Sequence, residues 1–176
     1  MFKTSRIWNK KNGSKTFYAA ILTRKSEKDT SNFQKRGNNR KMSIGQFALQ
    51  ASVYSALNND SNLTSTLGAG VYDEVLETAT YPYVAIGEDN VLDYGTVNED
   101  GGDFTLTIHV WSQYHGSKEA KEIMDRVHSL LHDSSLSVTG FNLVNFRFEF
   151  SDIIKDPDGI TRHGIMRFRA VILGTS

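Results

Sequence analysis

Asp125, His128 and His132 stand three and four residues apart, a spacing that brings all three to one side of a helix. His-x-x-x-His is a spacing found in metal sites, and a nearby carboxylate could complete a zinc set. No glutamate lies between the two histidines, as the base of a metalloprotease would. The preferred reading is a pair of half-exposed histidines favoured near a helix C-terminus by the backbone dipole. His109 and His115 flank Trp111, and a histidine with a distant serine and aspartate could form a triad. The chain has no Gly-x-Ser-x-Gly elbow to present the nucleophile. His109 is instead expected on the second face of a sheet, at a subunit contact. Gly68-Ala69-Gly70 lacks the following lysine or helix of a phosphate loop. The cysteine count of zero excludes disulfides, thiolate zinc sites and a cysteine nucleophile. No catalytic, cofactor-binding or metal residue is therefore assigned, and the chain is expected not to be an enzyme.

Charge is the second source of chemistry. The chain has 176 residues and formal net charge zero, but the charge is segregated. Residues 1–42 hold 12 Lys/Arg and two Asp/Glu, whereas residues 43–176 hold eight Lys/Arg and 18 Asp/Glu. A basic arm on an acidic body is the reading, each part able to seek its own partner. Trp8, Phe17, Tyr18 and Phe33 lie among the arm's cations, a mixture that suits stacking and phosphate neutralisation on single-stranded nucleic acid. The competing reading, which is preferred, docks the arm on the acidic surface of a neighbouring copy. Residues 88–103 are acidic and glycine-containing. They lack the spaced carboxylates of a calcium loop, so a mobile solvated loop is expected.

These residues must be carried by elements, and the patterning names them. In the arm, Asn12-Gly13 is a type I′ turn signal. It predicts a hairpin over 5–23 pairing Ser5–Lys11 with Ser14–Thr23, followed by a polar linker over 24–41. From Met42 the composition changes. Leu49, Val53, Ala56 and Leu57 recur at helical spacing behind a capping Ser43. Asp60 opens a short helix to Leu67, and Gly68 sits where a left-handed cap is wanted. Tyr83–Gly87 and Phe104–Trp111 read as strands, the second with strict alternation. Ala120, Ile123, Met124, Val127, Leu130 and Leu131 form the stripe of a further helix. Two alternating segments close the chain around the turn Asp156-Pro157-Asp158-Gly159. In the first, Val144, Phe146, Phe148 and Phe150 share a face; in the second, Met166, Phe168, Ala170 and Ile172 do. The body, 42–176, is expected to be an α+β domain of order α-α-β-β-α-β-β. Its four-stranded antiparallel sheet carries helices on one face. No apolar run approaches the ~18 residues of a membrane span, and a soluble intracellular protein is the default expectation.

From Met42 onward the ordered blocks are similar to the tail-completion (tail terminator) family of long-tailed bacteriophages and related phage-like particles. The blocks run from Leu49–Leu57 through Asn59-Asp60 and Leu63-Thr64 to Gly70-Val71-Tyr72-Asp73 and Tyr81–Gly87. They continue with Leu106–Ser112, Glu119-Ala120-Lys121, Asp156–Gly159 and Arg167-Phe168-Arg169-Ala170. The resemblance implies a structural virion protein, present in the host cytoplasm during assembly. It implies a ring, usually a hexamer, capping the head-proximal end of the tail tube. The ring would stop tube growth and join tail to head, with the tail tube protein, a head–tail connector and its own copies as partners. Genomic DNA would pass through the bore without specific binding, and no membrane is involved. No catalytic residues come with the family. The arm is outside the resemblance, so it is either a docking element or a segment ahead of a start at Met42.

A bore that must pass DNA should not be cationic, because phosphate neutralisation would hold the DNA. Glu88, Asp89, Asp93, Glu99, Asp100 and Asp103 are therefore expected nearer the ring axis than Arg147, Arg162, Arg167 and Arg169. The arginines are expected on the outer wall or against neighbouring subunits.

Overall fold

A computed structural model describes residues 44–95 and 99–175. The chain divides into two units, Met1–Lys41 and Met42–Ser176. The arm, with its expected hairpin over 5–23 and linker over 24–41, lies outside the described residues. The second unit is an α+β pair of layers, helices on one face of a mixed sheet.

Helix α1, Gln46–Asn58, buries Leu49, Val53 and Leu57, the residues its spacing sets on one face. Gly45, not Ser43, occupies the cap position, with φ of 78°. Its carbonyl accepts the first helical hydrogen bond, from Leu49 N at 2.9 Å. Asp60 caps the next turn of the chain, its Oδ1 accepting from Leu63 N at 2.7 Å. The expected short helix is a single π-helical turn, Asn62–Thr66, that buries Leu63. Gly68 then adopts φ of 66°, the left-handed geometry that glycine takes without a Cβ penalty.

The sheet has five strands, not four: β1 (Gly70–Tyr72), β2 (Tyr83–Asp93), β3 (Gly101–Ser112), β4 (Phe141–Lys155) and β5 (Arg162–Gly174), in the order β1-β2-β3-β5-β4. The strand missed in the sequence is β1, Gly70–Tyr72, which runs parallel to β2 and so breaks the all-antiparallel expectation. Three residues are too few for alternation to register. Strand β2, Tyr83–Asp93, and β3, Gly101–Ser112, form a long antiparallel hairpin. The acidic stretch expected as a loop over 88–103 is therefore mostly paired strand at both ends. A register shift between Ile86 and Asp89 interrupts the alternation there, as a bulge does, which disguises this half of the hairpin.

Helix α2, Lys118–Leu131, buries Ala120, Ile123, Met124, Val127 and Leu131. Strands β4, Phe141–Lys155, and β5, Arg162–Gly174, pair antiparallel around a turn in which Asp158 Oδ1 accepts from Ile160 N and Thr161 N, each at 2.8 Å. On β5 the expected inward residues are inward: Met166, Phe168, Ala170 and Ile172 are each at most 2% exposed. On β4 two register shifts, at Leu143/Asn145 and Phe148/Phe150, flip the alternation. Leu143, Phe146, Phe148 and Ile153 meet the core, whereas Val144 and Phe150, expected inside, are exposed.

One core joins the layers. Leu49, Val53 and Leu57 of α1 and Ile123, Val127 and Leu131 of α2 pack in one cluster with Phe104, Leu106, Ile108, Val110 and Phe168 of the sheet. Each such side chain contributes about 1.5–3 kcal/mol by leaving water. Because these sheet residues alternate with Thr105, Thr107, His109 and Trp111, the second group stands on the face away from the helices.

Candidate functional site

On that open face a row of rings crosses four strands. Tyr72 of β1 meets Tyr83 of β2 edge-on, with centroids 5.9 Å apart. Tyr81 lies 5.1 Å from Tyr83, which stacks in turn toward Trp111 of β3 at 6.3 Å. Trp111 is stacked on His163 of β5 at 3.8 Å and 8°. His163 Nε2 lies 2.8 Å from His109 Nδ1, so one histidine donates to the other. His109 Nε2 faces Glu88 Oε2 at 3.4 Å. The register explains the row: Tyr83 pairs with Trp111, and Trp111 with His163. Burial, then the neighbouring Tyr81, pushes the Tyr83 phenol up to about 12. Burial, then the charge of His109, holds His163 below the usual imidazole range. Glu88 is held below its usual range by its own backbone N–H and then by His109.

His109 thus stands on the second face of the sheet, as its position in the alternation implies. Both its ring nitrogens are taken, by His163 and Glu88, so it serves no serine. His115 lies exposed in the turn after β3. His163 does not stand out in the sequence. Its only signal there is its outward parity on the closing strand, and only the β3–β5 register brings it to Trp111.

Beside the rings, the open face carries arginines among carboxylates, with Glu149 and Asp152 exposed on β4. Arg147 of β4 lies opposite Arg169 of β5, and Phe150 of β4 opposite Arg167 of β5. Arg169 Nε donates to Asp103 Oδ1 at 2.8 Å, and this guanidinium holds the Asp103 carboxyl below the usual range. Arg147 reaches Asp133 at 3.4 Å. Arg167 has no ion pair among the described residues, and its field reaches Glu88. Asp103 and Arg169 therefore cannot face opposite walls of a ring. β3 and β5 are neighbours, so this carboxylate and this arginine sit side by side. Asp89 accepts from Gln46 Nε2 of α1 at 2.8 Å, on the helical side.

The candidate metal residues are dispersed in role. Asp125 and His128 line a groove between α2 and β4 with Met124, Phe148, Ile153 and Met166. His128 stacks on His132 at 4.7 Å, and His132 Nδ1 accepts the backbone N–H of Phe148 at 3.1 Å. That bond uses the Nδ1 lone pair, so in the neutral ring Nε2 carries the proton and faces Asp133 Oδ2 at 3.4 Å. Among the described residues no three His, Asp or Glu side chains converge as metal ligands. Ala69 is buried, and its N–H bonds Leu63 O at 3.1 Å, so Gly68-Ala69-Gly70 connects the π-turn to β1. Trp8, Phe17, Tyr18 and Phe33 lie outside the described residues. Among the described residues no helix is long and apolar enough to cross a membrane.

What the geometry offers is a sheet face of stacked rings and arginines, with no activated nucleophile among the described residues. Comparison with known proteins agrees. A family model described as "Tail completion protein gp17" matches residues 51–173. Tail completion protein gp17 of Bacillus phage SPP1 is 35% identical over 92 residues, 52% of this chain and 68% of that protein. A chain from the virion of a native gene transfer agent particle superposes with a TM-score of 0.66 at 28% identity, covering 72% of this chain and 95% of that one. The structure of bacteriophage SPP1 gp17 superposes with a TM-score of 0.53 at 26% identity, covering 74% and 93%. The chain belongs to the tail completion protein gp17 family, whose members are structural components of phage and phage-like virions and not enzymes.

Proposed function

We propose that this protein completes the tail by closing into a ring, of six copies, on the head-proximal end of the tail tube. The ring ends tube growth and provides the seat for the connector of the filled head, and DNA passes through its bore. The observation that carries this reading is the family match over residues 51–173. It is supported by the likeness to a virion component over 95% of that component's length. The fold suits the task, because the two sheet edges differ: β1 is three residues long and β4 fifteen. A closed ring of identical copies joins two unlike patches through a rotation.

Deleting the gene tests it. Tails of abnormal length, or full-length tails that do not join heads, are expected in micrographs, with wild-type tails restored by expression in trans. Normal tails joined to heads would sink the proposal. Residues 1–41 are proposed to be a separable basic element. Intact-mass measurement of the virion protein checks this, and a species beginning at Met42 or Ser43 would remove it.

A further inference from the structure

We propose that the ring is held by a charge-matched contact between the β1–β2 connection of one copy and the β4–β5 open face of the next. This rests on the ring reading above and names the surfaces that would build it.

The first surface is the connection 73–82. It holds Asp73, Glu74 and Glu77 and no lysine or arginine. It is tied at both ends: Asp73 accepts from Gln50 of α1, and the Tyr81 ring lies against Tyr83. Between these ties Ala79 N donates to Leu76 O at 2.9 Å, which folds the segment on itself. Glu74 and Glu77 are exposed, and between them Val75 and Leu76 are 39% and 63% exposed. Two apolar side chains bracketed by two carboxylates, on a segment already ordered, lose little entropy on docking.

The second surface has the opposite character. Arg147 and Arg169 face each other across β4 and β5, and like charges directly opposite are unfavourable in a sheet. Asp103 relieves Arg169, but Arg167 has no ion pair among the described residues. Beside Arg147 and Arg167 stand Phe150 and Ile154, each 47% exposed. Arg147 reaches Asp133, and Glu149 and Asp152 are exposed on the same strand, so the cation left for a carboxylate-bearing partner is Arg167, set beside two exposed apolar side chains.

A second copy is the occupant because this chain carries both halves and cannot join them itself. β1 and β4 are the two edges of the sheet. Four interstrand spacings separate them by roughly 19 Å, and the connection is tied down at the β1 edge. Complementary patches at opposite edges make a head-to-tail contact, which closes when the rotation allows it.

The test uses the full chain, alone and with tail tubes, measured by mass photometry and electron microscopy, with circular dichroism as the folding control. Glu74→Lys with Glu77→Lys, and separately Arg147→Glu with Arg167→Glu, should each raise the concentration needed for assembly about tenfold or more. Combining all four substitutions should restore assembly. Mixing the two double variants in equal amounts should also restore it, since each then offers the other a matched face in alternation. Folded double variants that assemble like wild type, or a folded fourfold variant that fails to recover, would overturn the contact and leave the ring reading standing. Wild-type protein that never forms a closed ring, alone or on tubes, would overturn both.

Discussion

Gly45→Ala isolates how tightly the start of α1 is seated on the sheet. Gly45 has φ of 78°, and a Cβ there would lie 2.5 Å from Ile172 Cδ1 and 2.9 Å from the Phe141 ring. Ile172 is fully buried, so its methyl group has nowhere to retreat. Two costs add. Left-handed backbone at a residue with a Cβ costs about 1–2 kcal/mol, and overfilling a packed site costs about 1–3 kcal/mol. The sum is about 2–5 kcal/mol. Gly68→Ala is the matched control: its φ is 66°, and nothing lies within 4 Å of the added Cβ. It should lose only the backbone share, about 1–2 kcal/mol. Urea unfolding of both variants at 25 °C, below the assembly concentration, reads each loss from the midpoint at unchanged slope. The difference should be about 1–3 kcal/mol, all of it packing. Equal losses, agreeing within about 0.5 kcal/mol, would refute the close seating of α1 against Ile172 and Phe141.

Three further outcomes are expected. Phe168→Ala removes a fully buried ring whose centroid lies 5.7 Å from those of both Phe146 and Phe148; it should cost about 3–5 kcal/mol in the same urea assay. Because the folded pKa of His163 is depressed by burial and then by His109, its contribution to stability is present above the unfolded histidine pKa. That contribution is lost as pH falls toward the folded value. Midpoints should drop across that window in wild type and less in His163→Phe, and parallel pH profiles would contradict the assignment. Asp60 accepts from Arg126 Nε at 2.9 Å and is held low chiefly by that bond, so its stabilisation is present above the usual aspartate pKa and lost as pH falls through the folded one. Asp60→Asn should be less stable near neutrality, with a shallower acid limb than wild type, and an unchanged acid limb would count against the pairing.

Local chemistry alone marks out most of the elements. The 3.6-residue recurrence of Leu49, Val53 and Leu57, and of Ile123, Met124 and Val127, is enough to locate the two helices, because one apolar stripe must face a core. The alternation through Phe104–Trp111 locates β3 for the same reason, and Asp158-Gly159 locates the turn before β5. The ordered blocks also suffice for the family, and the scarcity of paired acid, base and nucleophile for the absence of an assigned catalytic role. Only the tertiary structure decided what depends on which strand lies beside which. β1 is too short for a period to show, and exists because β2 offers it an edge. The bulges at Ile86/Asp89, Leu143/Asn145 and Phe148/Phe150 each shift parity by one residue. A period-2 reading therefore assigns Val144 and Phe150 to the wrong face beyond them. His109 and His163 lie 54 positions apart and meet only because β3 and β5 are neighbours in one register. The same adjacency binds Asp103 to Arg169. Periodicity is written in a single segment, whereas register is an agreement between two.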